Sequence, residues 1–170
     1  MINGAKVGFR IREKETEKDI ENLLRLGFET FKAGVFHGVD MPEEALREKY
    51  RKLMARYDFD NPNQRIFVAE DDEGRFAGLI WVGVQKRDEV ESVEKDEMYA
   101  WIYDIEVAPG SRRRGLGRML LSYAEDWARE QGADTIELHV FANNRVAINL
   151  YRSSGYEEKS YILKKEIAPI

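Results

Sequence analysis

The sequence predicts an α/β (α+β) protein in which helices pack on the faces of a mixed β-sheet. Two patterns indicate this class. Short runs of alternating apolar and polar residues are typical of half-buried strands, and longer runs with an apolar residue every three or four positions are typical of amphipathic helices. In chain order the segments are β-α-α-β-β-β-α-β-α-β. Because no repeat or low-complexity tract interrupts this order, one domain over residues 1–170 is expected.

The first half of the chain supplies the predicted start of the sheet and two helices. Thr16 is a suitable N-cap, and Pro42 is acceptable in the first turn of a helix because that turn leaves its N–H groups unpaired. The turn at 71–74, Asp-Asp-Glu-Gly, joins two runs as a hairpin. The predicted elements are a strand at Val7–Glu13, a helix from Thr16 to about Lys32, a helix at Glu43–Tyr57, and strands at Arg65–Glu70 and Arg75–Gln85.

The second half contains the clearest helix of the chain. Apolar residues recur every three or four positions from Leu116 to Ala128, and Gly132 is a typical helix terminator. A charged link, Arg87–Glu97, precedes this half. The predicted elements are a strand at Met98–Val107, a helix at Gly117–Gln131, a strand at Thr135–Phe141, a helix at Asn144–Ser153 and a strand at Tyr156–Ile167.

Composition excludes several kinds of site. The chain has no cysteine, so disulfides, thiolate metal sites and acyl-cysteine intermediates are excluded. Two histidines, His37 and His139, are too few for a histidine-rich zinc site, and no metal is expected. The formal net charge of -5 disfavours nucleic acid as a partner. The longest apolar stretch, Ala77–Val84, is too short to span a bilayer, so we expect a cytoplasmic protein without a membrane partner. We expect the protein to be a monomer or a homodimer.

An anion site is predicted just before the clearest helix. Four arginines and no acid occur between Ser111 and Arg118, together with Gly115 and Gly117. Glycines let the backbone curl so that successive N–H groups converge, and a helix N-terminus adds roughly half a positive charge. N–H groups from about Arg113 to Arg118 are therefore expected to surround a pyrophosphate.

The pattern of glycines argues against two common nucleotide sites. A dinucleotide-binding turn requires a third glycine where Leu120 stands, and a P-loop requires a Gly-Lys-Ser/Thr ending that this turn lacks. The spacing of Arg112, Gly115 and Gly117 after a strand that ends at Val107 instead resembles the acyl-coenzyme A loop of the GNAT superfamily of N-acetyltransferases.

A second motif resembles the same family. Its residues recur at the family's spacing and are Asn144, Ala147, Leu150, Tyr151, Gly155 and Tyr156. The element order fits the family from about residue 7 to residue 167, with the strong motifs confined to residues 99–156. The resemblance implies a GNAT-like, mostly antiparallel central sheet and acetyl-coenzyme A as co-substrate. The coenzyme-binding residues that it implies are Ile105, Val107, Arg112, Arg113, Arg114, Gly115, Leu116, Gly117, Arg118, Asn144, Ala147 and Tyr151.

Acyl transfer to an amine needs a base for the amine and an acid for the departing thiolate. By resemblance Tyr151 is the expected acid. Asp104 and Glu106 share a face of the predicted strand 98–107 and are candidates for a general base or an acceptor-binding pair. A β-bulge, which the resemblance implies for this strand, would shift their alternation by one residue. His139, five residues before Asn144, is a further candidate because histidine accepts protons near neutral pH.

The expected function is transfer of an acetyl group from acetyl-coenzyme A directly to a primary amine of a protein or a small molecule. The alternative is a noncatalytic acyl-coenzyme A binding or sensing module, which would keep the glycine turn without an acid and a base. Nothing in the sequence identifies the acceptor. Residues 28–60, whose counterpart shapes the acceptor cleft in similar proteins, contain no recognisable motif.

Overall fold

The computed structural model describes residues 8–35, 41–87, 98–163 and 165. Its helices and strands follow the predicted order up to the last helix. They are β1 (Phe9–Glu13), α1 (Glu17–Val35), α2 (Glu43–Met54), β2 (Gln64–Asp71), β3 (Phe76–Lys86), β4 (Met98–Val107), α3 (Leu116–Glu130), β5 (Thr135–Leu138) and α4 (Arg145–Ser153).

The five strands form one sheet in the order β1-β2-β3-β4-β5. Neighbouring strands are antiparallel except β4 and β5, which are parallel, so the predicted mixed and mostly antiparallel sheet is confirmed. Helix α3 packs its apolar stripe, including Leu120 and Ala124, on one face together with Tyr151 of α4. Leu23 of α1 and Leu46 of α2 are buried on the other face. Two apolar layers therefore enclose the sheet.

The predicted last strand, Tyr156–Ile167, is wrong for the residues that the structure describes. Residues 156–163 and 165 lie outside any strand, and the remainder of that prediction falls outside the described residues. Strand β5 also ends at Leu138, before the predicted Phe141, because its pairing with β4 extends only from Thr135 to Leu138. Tyr161, Ile162 and Leu163 are exposed, so this segment buries no apolar face against a short edge strand.

Helix boundaries differ by a few residues from the predicted ones. Helix α1 continues beyond Lys32 to Val35, and α2 ends at Met54 rather than at Tyr57. The charged link lies outside the described residues from 88 to 97. Within the described part of the chain, no helix has both the length and the apolar character required to cross a membrane.

A buried ion pair attaches α1 to the sheet. Arg12 of β1 donates to both carboxylate oxygens of Asp19, at 2.9 and 3.1 Å, and Asp19 also accepts the N–H groups of Glu15 and Thr16. Burial raises the pKa of Asp19, but the hydrogen bonds from Arg12 and from these two N–H groups lower it more, to about 2. The ionised carboxylate is therefore strongly favoured by folding.

Asp19→Asn is expected to lower the free energy of unfolding by about 2 kcal/mol at neutral pH, because asparagine mimics the protonated acid. The folded-state pKa lies below the ordinary value of 3.8, so the stabilisation is complete above that value and is lost as the pH falls to about 2. Urea unfolding of both proteins across this range checks the prediction. A difference that stays constant with pH would contradict it.

Candidate active site

Strand β4 contains a β-bulge at Tyr103. Trp81 of β3 pairs with Asp104 and Val82 pairs with Ile102, so Tyr103 is one extra residue on β4. Ala100 and Ile102 before the bulge pack on the α3 side, as do Ile105 and Val107 after it. A bulge exchanges the two faces for every later residue.

The bulge therefore determines the direction of two carboxyl groups. Without it, Asp104 and Glu106 would alternate onto the face of Ile102, against the leucines of α3. With it, both lie on the face covered by α1 and α2. Strict alternation predicts the opposite face and is wrong here, whereas the one-residue shift expected for a bulged strand is confirmed.

Asp104 and Glu106 form a carboxyl pair with strongly perturbed acidity. Burial raises the pKa of Asp104. Burial also raises the pKa of Glu106, with a further contribution from the charge of Asp104. Glu106 is 6% exposed, and its Oε1 has no hydrogen-bond partner among the described residues. Two adjacent carboxyls of this kind share protons as a unit, so near neutral pH the pair is able to accept one.

Helices α1 and α2 contribute groups beside this pair that sequence reasoning missed. A Cβ at Gly27 would clash with the Tyr50 hydroxyl and lie 2.8 Å from Asp104 Oδ2, so glycine permits the close approach of α1. Thr30 lies beside Glu106 and lowers its pKa in opposition to burial. Burial raises the pKa of Tyr50, and the charges of both carboxyls add to the effect.

A sequence signal for this contact exists in α1. Gly27, Thr30 and Gly34 occur at i, i+3 and i+7, which places these three small residues on one face of the helix. A Cβ at Gly34 would overlap the ring of Phe141, from the segment that follows β5. An isolated glycine within a helical pattern often has a packing reason. Here the small face allows α1 to lie directly over the end of the sheet.

The pairing of β4 with β5 ends before the carboxyl pair. Strand β4 pairs with β5 only from Tyr99 to Ile102, so its later residues, including Ile105 and Val107, have no strand partner on that side within the described chain. After Leu138 the chain leaves the sheet, and Asn143 Nδ2 donates to the carbonyl of Ala33 in α1 at 3.3 Å. We call the region where this pairing ends the β4–β5 junction.

The predicted glycine turn lies beside this junction. Arg113 and Gly115 both have left-handed backbone conformations, with φ of 62° and 83°, and Gly115 is the N-cap of α3. Such a conformation is unusual for arginine and often marks a functional loop. No acceptor among the described residues takes the backbone N–H groups of 113–118. The curled backbone thus presents a set of unused donors at a helix N-terminus.

The side chains of the turn have separate contacts. Arg112 Nε donates to the carbonyl of Val107 at 3.0 Å, and Arg118 Nη2 donates to Ser153 Oγ at 3.1 Å. The guanidinium of Arg114 lies 4.7 Å from the ring centre of Phe9. Leu116 is buried in the core. A Cβ at Gly117 would lie 2.9 Å from Leu150 Cδ2, so this glycine also lets α3 approach α4 closely.

Helix α4 buries Tyr151 on the α3 side of the sheet. Asn144 caps the helix by accepting the N–H of Ala147 at 3.1 Å, and Ala147 packs against the core. Tyr151 is 8% exposed. Burial raises the pKa of Tyr151, and the charges of Asp104 and Glu106 raise it further, so the three groups interact electrostatically. Its hydroxyl donates no hydrogen bond to any described residue.

His139 occupies a different environment. It lies just beyond β5, is exposed, and packs its ring edge-on against Phe141 with the ring centres 5.4 Å apart. Asp104, Glu106 and Tyr151 therefore interact electrostatically, whereas the contact of the His139 ring is with Phe141.

Similarity to known proteins defines the chain as an acyltransferase. Residues 34–156 match the acetyltransferase (GNAT) family model, and the chain belongs to that family. It is 37% identical to streptothricin acetyltransferase of Streptomyces lavendulae over 97 residues, which is 57% of this chain and 47% of that protein. It is 27% identical to the uncharacterized N-acetyltransferase YdgE of Bacillus subtilis over 158 residues, which is 91% of this chain and 96% of that protein.

A solved structure from Pyrococcus furiosus, assigned as an acetyl transferase, shares the fold. Its TM-score is 0.77 at 28% sequence identity, and the match covers 94% of this chain and all of that one. The match therefore extends over nearly the full length of both chains.

Proposed function

We propose that the protein transfers an acetyl group from acetyl-coenzyme A directly to a primary amine of a protein or a small molecule. The observation that supports this most strongly is the glycine turn, whose backbone N–H groups 113–118 have no acceptor among the described residues and which follows the strand that carries Asp104 and Glu106. The residues present fit the coenzyme, because N–H donors without acceptors at a helix N-terminus suit its phosphates, and Asp104, Glu106 and Tyr151 offer a base and an acid.

The turn would hold the coenzyme by its phosphates. N–H groups 113–118 have no acceptor among the described residues and would donate to a phosphate, and the dipole of α3 would add to the attraction. Arg113 is exposed and its side chain forms no hydrogen bond or ion pair with any described residue, so its guanidinium is available as a forked donor to phosphate. The backbone of β4 near Ile105 and Val107 would bond the pantetheine arm.

The carboxyl pair would act as the general base. An amine with an ordinary pKa near 10.4 arrives protonated, and a carboxyl with an ordinary pKa is a poor acceptor for its proton. Burial raises the pKa of both Asp104 and Glu106, which brings the pair closer to the value that suits proton transfer near neutral pH. The neutral amine nitrogen then attacks the thioester carbonyl and forms the carbon–nitrogen bond, and the carbon–sulfur bond breaks when the tetrahedral adduct collapses. The second proton that nitrogen loses replaces the proton that Tyr151 donates to sulfur.

Tyr151 would supply the proton for the departing sulfur. The negative charges of Asp104 and Glu106 raise its pKa in the resting enzyme. When the pair accepts the proton of the amine, that repulsion weakens and Tyr151 becomes a stronger acid. Protonation of the carboxyl pair thus lowers the pKa of Tyr151 toward that of the departing thiol, which has an ordinary pKa of about 8.5.

Tyr151→Phe tests this role, because it removes the hydroxyl and keeps the packed ring. Turnover is expected to fall by roughly 10² while coenzyme affinity and thermal stability change little. The deficit should shrink when a thioester with a more acidic thiol replaces the natural one. Equal turnover by both proteins, measured with chemistry as the slow step, would assign proton donation to water.

A panel of primary amines, from polyamines to peptides with free N-termini, tests the proposed function itself. Acetyl-coenzyme A is supplied, and both the release of free thiol and the acetylated amine are measured. Amine-dependent release supports the proposal. Tight coenzyme binding by calorimetry without turnover on any amine would favour the noncatalytic binding module instead.

A further inference from the structure

The bulge that directs Asp104 and Glu106 requires stabilising contacts. An extra residue interrupts strand pairing, and the same chain without the bulge would keep a regular ladder with β3. In the regular register the two carboxyls would face the leucines of α3. Tyr103 is the extra residue, and its side chain makes contacts with both β3 and β2.

The ring of Tyr103 lies flat across β3. It stacks on Trp81 with ring centres 4.5 Å apart and an interplanar angle of 26°, and Tyr57 packs edge-on against it at 5.8 Å. A Cβ at Gly83 would lie 2.9 Å from Tyr103 Cε2, so the absence of a side chain there lets the ring cross the strand. The ring thus reaches from β4 over β3 toward β2.

The hydroxyl of Tyr103 is held by two glutamines on different strands. Gln85 Nε2 of β3 donates to it at 2.9 Å, and Gln64 Nε2 of β2 donates at 3.3 Å. Gln64 Oε1 in turn accepts from Trp81 Nε1 at 2.9 Å, and Gln85 Oε1 accepts from the Tyr99 hydroxyl at 3.2 Å. The phenol of Tyr103 therefore connects three strands, β2, β3 and β4, at the bulge.

We propose that Tyr103 is a positioning residue, which holds β4 in the bulged register and so keeps Asp104 and Glu106 on the α1 face. Tyr103 does not touch the reacting atoms and acts through the backbone of the residue that follows it. The inference rests on the proposed use of the carboxyl pair as the base. The other groups that face this pair are Thr30 of α1, Tyr50 of α2, Tyr151 of α4 and Arg112 before α3.

Tyr103→Phe removes both hydrogen bonds and keeps the stacking on Trp81. Tyr99→Phe is a matched control, because it removes one hydrogen bond to the same Gln85 from a residue outside the bulge. Carboxyl titration by NMR, with ¹³C-labelled Asp and Glu in the whole protein, reads the pair directly. This measurement needs no acceptor, so it remains informative if no amine is ever acetylated.

Tyr103→Phe is expected to lower the apparent pKa of the pair by about half a unit or more, because a loosened bulge admits water to the carboxyls. Turnover should fall with KM for acetyl-coenzyme A unchanged, and Gln85→Leu should shift the titration in the same direction. Tyr99→Phe should leave the titration in place. If Tyr103→Phe titrates like the parent, or if Tyr99→Phe shifts the pair equally, the positioning role is overturned.

Discussion

Asp104→Asn and Glu106→Gln are each expected to lower turnover by roughly 10² to 10⁴, the range typical of a lost general base. The two carboxyls share protons as one unit, so the double variant should be little worse than the more damaged single variant. Steady-state rates at saturating acetyl-coenzyme A check this. His139→Gln is the control, and loss of activity in that variant alone would move the base to His139.

The pH profile provides a second readout of the same groups. The charge of Asp104 raises the pKa of Glu106, so Asp104→Asn is expected to lower it. A general base works when it is ionised, and the acid limb of kcat/KM should therefore move to lower pH in this variant. An acid limb that stays in place would mean that the measured titration belongs to another group.

Stability should change in the opposite direction from activity. Burial raises the pKa of both carboxyls above the ordinary values of 3.8 and 4.5, so the folded protein holds protons that the unfolded chain has released. Stability is therefore highest below the ordinary values and decreases as the pH rises through the raised ones. Glu106→Gln removes one such group, so its stability relative to the parent should increase with pH. Loss of activity with this gain excludes misfolding as the cause.

Local signals explain which parts of the site could be predicted from sequence. The turn at 112–117 and helix α3 depend on glycines, arginines and an apolar period that lie within twenty residues of one another. Their predicted order and positions agree with the structure. Asn144 is similar, because its cap on Ala147 is a contact between neighbours in the chain. Such features need no knowledge of distant partners.

Features that depend on distant partners could not be predicted in the same way. The bulge is held by contacts from β2 and β3, up to 39 residues from Tyr103 in sequence, and nothing within β4 itself identifies the extra residue. Tyr50 and Thr30 approach the carboxyl pair only because α1 and α2 pack over this end of the sheet. The last predicted strand is wrong over its described residues for the same reason, because a strand forms only beside a partner strand, and its own sequence does not show whether that partner is present.

Gly117→Glu is expected to abolish coenzyme A binding while the fold remains. The new carboxylate would be placed at the N-terminus of α3, among the N–H groups of 113–118, where it would occupy the space of the pyrophosphate and repel its charge. The new Cβ would meet only the end of the Leu150 side chain, which is able to move. Calorimetry should show an affinity loss of at least roughly 10², equivalent to about 3 kcal/mol.

Two further variants separate charge, bulk and position. Gly117→Ala adds the Cβ without charge and should weaken binding far less than Gly117→Glu. Gly110→Glu places the same charge in the same stretch of chain, at an exposed glycine whose Cβ position has no atom within 4 Å and which lies outside the set of unused N–H groups. It should therefore bind coenzyme A with close to parental affinity. Equal losses of coenzyme A affinity in Gly117→Glu and Gly110→Glu would mean that the turn attracts the coenzyme only through its general positive charge. Parental affinity in a folded Gly117→Glu would mean that the phosphates bind elsewhere on the protein.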